Sequence, residues 1–249
     1  YQSFDGDGAS NSSAKLEALR LTELPHEVGS LPLQGKSVLD IGCNEGFFCR
    51  EAVRQGAVRD VGIDRSPHFI AAARQNVPEA DFHLRSWWDM DYEQCDVIFF
   101  LSAIHYEDRQ RDLLQMLSNR LKPNGTLVLE CGVWPQTFTQ SWQIINRGDG
   151  PKRYPTRTML EGTLPADYAP RYIGRSVMQA GDPVQRDVYH CRKRLPTVML
   201  IHGESNVGKS CLAKSLQSAA NIYSIDLLLN KLFNHEMYAG LPLREAIVG

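Results

Sequence analysis

Short apolar segments typical of strands alternate with amphipathic segments typical of helices through residues 37–130. The strand-like segments cover residues 37–41, 58–63, 81–85, 96–102 and 126–130. The helix-like segments cover residues 14–28, 47–55, 66–74 and 108–121. Because strands that alternate with helices are joined by right-handed crossovers, this order predicts an α/β fold with a doubly wound, mostly parallel sheet.

Two later segments predict an antiparallel hairpin at one edge of this sheet. Residues 172–177 and 186–192 alternate in polarity on either side of a turn at residues 180–183. A further apolar strand and a glycine-rich loop begin near Leu195. We therefore expect a first domain over residues 1–194 and a second, incomplete α/β domain over residues 195–249.

The composition excludes several classes of protein. The 249 residues are 43% hydrophobic, which is enough to build a core, and the net charge of −2 disfavours general nucleic-acid or membrane binding. No apolar run approaches the roughly 18 residues of a membrane span, and no signal peptide is recognisable, so we expect a cytoplasmic protein. The six cysteines lack Cys-x-x-Cys spacing and are predicted to be free buried thiols. Because the chain opens at Tyr1, we expect an excised piece.

A glycine-containing loop, Asp-Ile-Gly-Cys-Asn-Glu-Gly at residues 40–46, follows the first predicted strand and opens a helix. In open α/β sheets, ligands bind beyond the carboxyl ends of such strands. Asn44 replaces the second glycine of the dinucleotide fingerprint, which disfavours a pyrophosphate ligand. Asp64 ends the second strand, where a carboxylate can accept both ribose hydroxyls. A nucleoside without pyrophosphate indicates S-adenosylmethionine.

Residues 38–46, 62–64 and 121–129 together resemble the motifs of class I S-adenosylmethionine-dependent methyltransferases. The resemblance covers roughly residues 35–192 and implies a Rossmann-like methyltransferase fold with a set of cofactor contacts. The implied contacts are Asp40, Gly42, Asn44, Gly46, Phe47, Asp64, Arg65, Ser86, Trp87, Leu101 and Ser102.

The resemblance also assigns regions of the cofactor to these residues. The methionine end is assigned to Asp40 and Gly42, the ribose to Asp64, the adenine to Arg65, Ser86 and Trp87, and the sulfonium to Leu101 and Ser102. Purely structural roles are the alternative: Asp40 capping a turn, Asp64 capping the next helix and Trp87 packing in the core.

His105 leaves the fourth strand close to the expected position of the transferred methyl group and is the candidate general base. Methyl transfer requires chiefly that an acceptor be aligned with the sulfonium–methyl bond, and a hydroxyl or amine acceptor must also lose a proton. A packed or capping histidine is the alternative. Glu130 and Asp108 are weaker candidates for the base.

The segment after the fifth strand is rich in cationic and aromatic side chains that suit a phosphate or carboxylate on the acceptor. The candidate acceptor residues are Arg153, Tyr154, Arg157, Arg171 and Arg175. A solvated basic face is the alternative. Tyr1 and Gln2 are candidate lid contacts over the cofactor, with a disordered tail as the alternative.

Residues 203–210 form a complete G-x-x-x-x-G-K-S motif between a predicted strand and a predicted helix. Gly203, Gly208 and Lys209 are expected to bind the phosphates of ATP, and Ser210 to bind Mg²⁺. Asp226 follows at the end of the next strand, as in small P-loop kinases of the antibiotic-phosphotransferase and zeta-toxin kind, which the segment resembles over about 40 residues. It would orient or deprotonate a hydroxyl, or else cap a helix.

The sequence therefore predicts a methyltransferase that methylates oxygen of a saccharide, phosphorylated sugar or small metabolite, fused to the start of a P-loop kinase. This organisation resembles that of bifunctional methyltransferase–kinases that cap bacterial polysaccharides. Two alternatives stay open. One is an RNA-modifying methyltransferase–kinase, and the other is a non-catalytic module that senses the cofactor.

Overall fold

The computed structural model describes residues 11–21, 29–89, 91–135, 141–148, 150–178, 183–194 and 211–212. Contacts divide the chain into residues 1–195 and 196–249, and nearly all described residues belong to the first unit. Some predicted site residues lie outside the described residues, and their roles stay predictions. They are Tyr1, Gln2, Gly203, Gly208, Lys209, Ser210 and Asp226.

Seven of the described strands form one sheet in the order β3-β2-β1-β4-β5-β9-β8, and β6 pairs with β7 separately. The first five strands are mutually parallel, whereas β9 is antiparallel to both β5 and β8. The strands are β1 Ser37–Ile41, β2 Arg59–Asp64, β3 Asp81–Leu84, β4 Cys95–Leu101, β5 Leu121–Gly132, β6 Trp142–Arg147, β7 Gly150–Pro155, β8 Tyr168–Arg175 and β9 Arg186–Lys193. The doubly wound sheet and its edge hairpin are thus confirmed.

Helices cover both faces of the large sheet, which explains why its central strands are continuously apolar. The helices are α1 Asn11–Ala18, α2 Phe47–Arg54, α3 Pro67–Asn76, α4 Gln110–Arg120 and α5 Arg157–Thr163. Phe48 of α2 and Phe99 of β4 pack on one face. Leu113 of α4 and Leu160 of α5 pack with Phe100 of β4 on the other.

Local signals set the ends of the helices. Ser66 caps α3 by accepting a hydrogen bond from the Phe69 amide (3.4 Å), and Pro67 occupies the first helical position. Gly56, just beyond α2, has φ +80°. This left-handed conformation is costly for other residues and ends the helix at the predicted place.

The hairpin of β6 and β7 and the helix α5 lie within residues 132–170, where the sequence shows no clear period. Strand β6 has no buried apolar face, since all six of its residues are exposed or half-buried. The two strands pair in an antiparallel register that runs from Trp142 opposite Pro155 to Arg147 opposite Gly150.

Two further observations bear on the compositional predictions. Five cysteines are buried free thiols, but Cys211 is exposed, so the prediction of burial is wrong for that residue. Among the helices in the described part of the chain, none has the length and apolarity to cross a bilayer.

Candidate active site

The loop between β1 and α2 adopts an alternating left-handed backbone. Gly42, Asn44 and Gly46 have φ values of +77°, +52° and +86°. Asparagine tolerates this region better than most residues, so Asn44 takes the backbone role of the glycine that it replaces. The amides of Gly42 and Cys43 donate to the Ile63 carbonyl at 2.8 and 3.0 Å, which anchors the loop to the end of β2.

Asp64 lies at the crossover between this loop and α3. Its Oδ2 accepts from the Asn44 amide (3.1 Å) and its Oδ1 from the Ser66 amide (2.8 Å). Each carboxylate oxygen can accept a second hydrogen bond, so the group can also receive the two hydroxyls of a ribose. The ribose contact stays a prediction, and the helix-capping alternative is wrong in that Ser66, rather than Asp64, caps α3.

A depression of about 400 Å³ opens at the ends of β2 and β3, and it is lined by Arg65, Leu84, Arg85, Ser86 and Asp89. The structure thus brings together Arg65 and Ser86, which the sequence assigned to the adenine. The depression is large enough for a purine base, and Asp64 is next to its lining residue Arg65 in the chain.

Trp87, also assigned to the adenine, makes its described contacts elsewhere. Its indole N–H donates to Glu107 Oε2 (3.1 Å) and its ring meets Phe100 edge-on, with centroids 5.8 Å apart. The Trp88 indole donates to the same oxygen at 2.8 Å. Burial acts to raise the pKa of Glu107, but hydrogen bonds from the Arg109 amide and both indoles outweigh it and lower that pKa.

Asp40 lies beneath the loop rather than on an open surface. Its carboxyl is 1% exposed, and Cys49 Sγ is 3.8 Å away. Burial raises the pKa of Asp40 to about 7 and that of the neighbouring Asp60 to about 8, so two carboxyl groups share this buried face of the sheet. Phe47 is also buried, with its ring against Phe48 (5.2 Å between centroids).

Ser102, which follows β4, lies at the centre of a buried ionic cluster. It has φ +57°, and its hydroxyl hydrogen-bonds Glu130 and accepts from Arg186 Nη1 at 2.6 Å. Lys15 Nζ is 2.8 Å from Glu130 Oε2, and Ser176 donates to the other oxygen of the same carboxylate. Burial alone would raise the pKa of Glu130, but Lys15 and the hydrogen bonds keep it lowered, so the carboxylate is ionised.

Sequence reasoning missed Lys15, Ser176 and Arg186. The available signal was Glu130 itself, because an ionised carboxylate inside an apolar strand requires a cationic partner. Neither Lys15 nor Arg186 is near it in the sequence, so no local pattern identifies them. Leu101, assigned with Ser102 to the sulfonium, is buried at the end of β4.

His105 lies in a short 3₁₀ turn, Ile104–Tyr106, and is 5% exposed. Its ring stacks on Tyr154 of β7 at a centroid distance of 5.2 Å and an interplanar angle of 17°. Tyr106 lies on it at 4.4 Å, and Lys152 Nζ is 4.2 Å from the centre of the Tyr106 ring. The candidate base is therefore covered by one tyrosine of the hairpin, Tyr154, and by the tyrosine that follows it in the turn, Tyr106.

The predicted acceptor arginines are spread over several elements. Arg153 Nε is 2.5 Å from Asp108 Oδ1, and Arg157 Nη2 is 2.6 Å from Asp187 Oδ2. Arg171 and Arg175 are exposed on β8, the edge strand. Two of these charges are thus neutralised within the chain.

A parallel sheet with a left-handed loop after β1 and a carboxylate at the end of β2 is typical of α/β domains that bind a nucleoside cofactor. A family model described as a methyltransferase domain matches residues 14–160. Because this match covers more than half of the chain, the protein belongs to that family, the class I S-adenosylmethionine-dependent methyltransferase domains.

The curated relatives include enzymes with different acceptors. A tRNA U34 carboxymethyltransferase of Aeromonas salmonicida is 33% identical over 114 residues, covering 43% of this chain and 34% of the relative. A ubiquinone biosynthesis O-methyltransferase of Nitrobacter winogradskyi is 29% identical over 136 residues, covering 53% and 49%. The chain therefore spans about a third to a half of the length of these relatives.

Solved structures show the same fold. An S-adenosylmethionine-dependent methyltransferase of Mesorhizobium loti matches with a TM-score of 0.55 and 19% identity, covering 72% of this chain and 98% of that chain. The 1,6-didemethyltoxoflavin-N1-methyltransferase of Burkholderia thailandensis, solved with S-adenosylhomocysteine, matches with a TM-score of 0.56 and 19% identity, covering 75% and 77%.

Proposed function

We propose that this methyltransferase acts on a hydroxyl oxygen of a saccharide or small metabolite. The observation that supports this most directly is the position of His105, buried just beyond β4 between Tyr106 and Tyr154. An imidazole enclosed by aromatic rings can receive a hydroxyl proton away from bulk water. The rings also offer apolar surface to the carbon face of an acceptor.

S-adenosylmethionine supplies a methyl group that is already activated on its sulfonium sulfur. Asp64 would hold the ribose through its two carboxylate oxygens, and Arg65 and Ser86 would contact the adenine. His105 would accept the proton of the acceptor hydroxyl while the oxygen–methyl bond forms and the sulfonium–methyl bond breaks, which leaves S-adenosylhomocysteine. Ser102 and its ionic cluster fix the backbone between β4 and His105, which positions the imidazole.

The charges around the site favour a neutral acceptor. Asp108 and Asp187 neutralise Arg153 and Arg157, two of the five residues assigned to the acceptor. A polyanionic acceptor gains less from cations that already have carboxylate partners. Because these two arginines already have carboxylate partners, they would bind a phosphate group weakly. We therefore favour an uncharged sugar over a phosphorylated sugar as the acceptor.

The test uses methyl-labelled S-adenosylmethionine with a panel of methyl glycosides, sugar phosphates and phenols, and mass spectrometry to detect the labelled product. His105→Gln should lower the transfer rate by about 10²–10⁴-fold while leaving S-adenosylhomocysteine affinity unchanged. His83→Gln, on β3, is the matched control and should retain the rate. Equal rates for His105→Gln and the wild type would remove the base role. Cofactor binding without transfer to any acceptor would favour the sensing alternative.

RNA methylation is the second candidate because several curated relatives are tRNA U34 carboxymethyltransferases. The exposed Arg171 and Arg175 of β8 supply a local basic surface for it. Binding of unfractionated tRNA that weakens steeply as salt rises, and that falls in Arg171→Ala, would favour this candidate over a saccharide.

The kinase assignment rests on the sequence alone. The G-x-x-x-x-G-K-S motif at residues 203–210 supports ATP and Mg²⁺ binding through Lys209 and Ser210. Asp226 would orient or deprotonate the hydroxyl that is phosphorylated. A fluorescent ATP analogue should bind the wild type and not Lys209→Ala, with methyl transfer equal in the two. Equal binding of the analogue to both proteins would remove the assignment. A cytoplasmic location likewise stays a prediction.

A further inference from the structure

Lys152 of β7 is a buried cation beside the turn that carries His105. It is 3% exposed, and its Nζ is 4.2 Å from the centre of the Tyr106 ring. A lysine is seldom buried to this extent, because taking its ammonium out of water is costly. The negative face of an aromatic ring offsets part of that cost. Lys152 therefore makes a specific contact with the turn.

Strand β7 contacts this turn through two side chains on one of its faces. Lys152 and Tyr154 are two positions apart, so they project from the same side of the strand. Tyr154 stacks directly on the His105 ring, with 5.2 Å between centroids. Lys152 lies over Tyr106, whose ring centroid is 4.4 Å from that of His105. The imidazole is thus contacted by Tyr154 directly and linked to Lys152 through the Tyr106 ring.

Neighbouring elements fix β7 in this position. Gln110 of α4 donates from its side-chain amide to the Arg153 carbonyl at 3.2 Å. The Tyr154 ring packs on the backbone of Gly132 in β5, since a Cβ at Gly132 would lie 2.9 Å from two carbons of that ring. The face of β7 that carries Lys152 and Tyr154 is therefore held by contacts with α4 and β5.

The ammonium of Lys152 also lies within electrostatic range of the imidazole. The Tyr106 ring centre is 4.2 Å from Lys152 Nζ and 4.4 Å from the His105 ring centre. Because the two distances share that point, Nζ is less than about 9 Å from the imidazole, close to one Debye length at physiological salt. A cation at this distance disfavours a second positive charge on the imidazole.

Carboxylates on the segments that follow the turn or pack against it have partners of their own. Glu107 accepts hydrogen bonds from two indole N–H groups. Asp108 pairs with an arginine on the other face of β7, and Glu130 of β5 pairs with Lys15. The phenols of the two tyrosines are uncharged near neutral pH. These partners reduce the fields that the carboxylates exert on the imidazole.

We propose that Lys152 is a positioning residue for methyl transfer, which holds the His105 turn through the Tyr106 ring and keeps the imidazole uncharged. An uncharged imidazole can accept a proton, whereas an imidazolium cannot. This inference rests on the proposed base role of His105, but the effect of Lys152 on the imidazole can be measured without an acceptor.

The experiment is a ¹H–¹³C NMR titration of the full 249-residue chain between pH 5 and pH 9, which follows the ring Cε1–H signal of His105. The chain has seven histidines, and this signal is identified by its loss in His105→Gln. Lys152→Met removes the cation and should raise the midpoint of the titration by about 0.3–1 pH unit, the effect of one charge at this distance.

Two further variants separate the charge from the mere change of side chain. Lys152→Arg keeps a cation that stacks on aromatic rings, so its His105 signal should titrate as in the wild type. Lys122→Met is the matched control, because it removes a lysine that pairs with Asp96 near the start of β4, and it should leave the titration unchanged. A midpoint in Lys152→Arg equal to that in Lys152→Met would overturn the role of the charge.

The same titration in the wild type and in Lys152→Met, including no titration in either, would overturn the proposal. If Lys152→Met does not fold by circular dichroism, Lys152→Gln takes its place under the same criterion. With an acceptor from the labelled panel, the fall of kcat/KM toward low pH should move to higher pH by the same amount in Lys152→Met. A shifted midpoint with an unchanged pH dependence of kcat/KM would retain the effect of Lys152 on His105 and overturn the proposed base role instead.

Discussion

Lys15 of α1 and Glu130 of β5 form a buried ion pair, with 2.8 Å between Nζ and Oε2 and side chains 4% and 0% exposed. Arg186 Nη1 is 3.8 Å from the same carboxylate oxygen, and Ser102 hydrogen-bonds it. Helix α1 is thereby tied to the carboxyl ends of β4 and β5, next to the proposed active site. Its contribution is to hold Ser102, and hence the start of the His105 turn, in one conformation.

Replacing Lys15 with Met should destabilise the fold by about 3–5 kcal/mol, because it leaves the buried Glu130 carboxylate with a single, more distant cation. The free energy of unfolding in urea measures this loss. Lys122→Met is the control: its pair with Asp96 (2.9 Å) is partly exposed and should contribute less than about 1 kcal/mol. Equal losses in the two variants would contradict the role given to the buried pair.

Asp60→Asn should raise the melting temperature at pH 8 and change it little near pH 4. Burial, with Asp40 nearby, raises the pKa of Asp60 from 3.8 to about 8, so the folded state binds the proton more tightly than the unfolded state. Stability from this group is therefore lost as pH rises from about 4 to about 8, and asparagine removes that dependence.

For Asp60→Asn, thermal unfolding at pH 4, 6 and 8 is the measurement. A gain of about 1–2 kcal/mol at pH 8 corresponds to roughly 2–8 °C in a domain of this size. Glu79→Gln, which removes an exposed carboxylate between α3 and β3, is the control and should keep the wild-type dependence of stability on pH. If the melting temperature of Asp60→Asn changed with pH as that of the wild type does, Asp60 would be excluded as the source of this pH dependence.

Gly62→Ala should destabilise the fold by about 1–3 kcal/mol, as overpacking of a filled core does. A Cβ at this position would lie 2.6 Å from ring carbons of Phe82 and 3.0 Å from Cys43 Sγ. Gly148→Ala is the matched control, since its Cβ would meet nothing within 4 Å. The denaturant concentrations at which the two variants are half unfolded measure their stabilities. A Gly62→Ala variant as stable as the wild type would show that the Phe82 ring moves to make room for the methyl group.

Asp64→Ala should weaken binding of S-adenosylhomocysteine by about tenfold or more, because hydrogen bonds to a charged group contribute about 1.5–3 kcal/mol. Isothermal titration calorimetry measures the affinity. Asp81→Ala, remote from the depression beside Asp64, should bind as the wild type does. Wild-type affinity in Asp64→Ala would remove its assignment to the ribose.

Local sequence signals located much of this fold. The alternating apolar segments placed β1 through β4 to within about two residues, and Ser66 with Pro67 marked the start of α3. These signals failed where a strand is defined only by its hydrogen bonds to a neighbouring strand. The β6–β7 hairpin has no apolar periodicity, and β5 begins at Leu121 rather than at residue 126 because its first residue pairs with Cys95.

The sequence by itself determined the α/β class, the left-handed loop around Asn44 and the carboxylate at Asp64, because each depends on residues close together in the chain. Only the tertiary structure decided that Lys15 meets Glu130, that Tyr154 stacks on His105 and that Asp108 and Asp187 pair with two of the arginines predicted to bind the acceptor. These contacts join segments from 30 to 115 positions apart, so they depend on strand order and register, which no local pattern encodes.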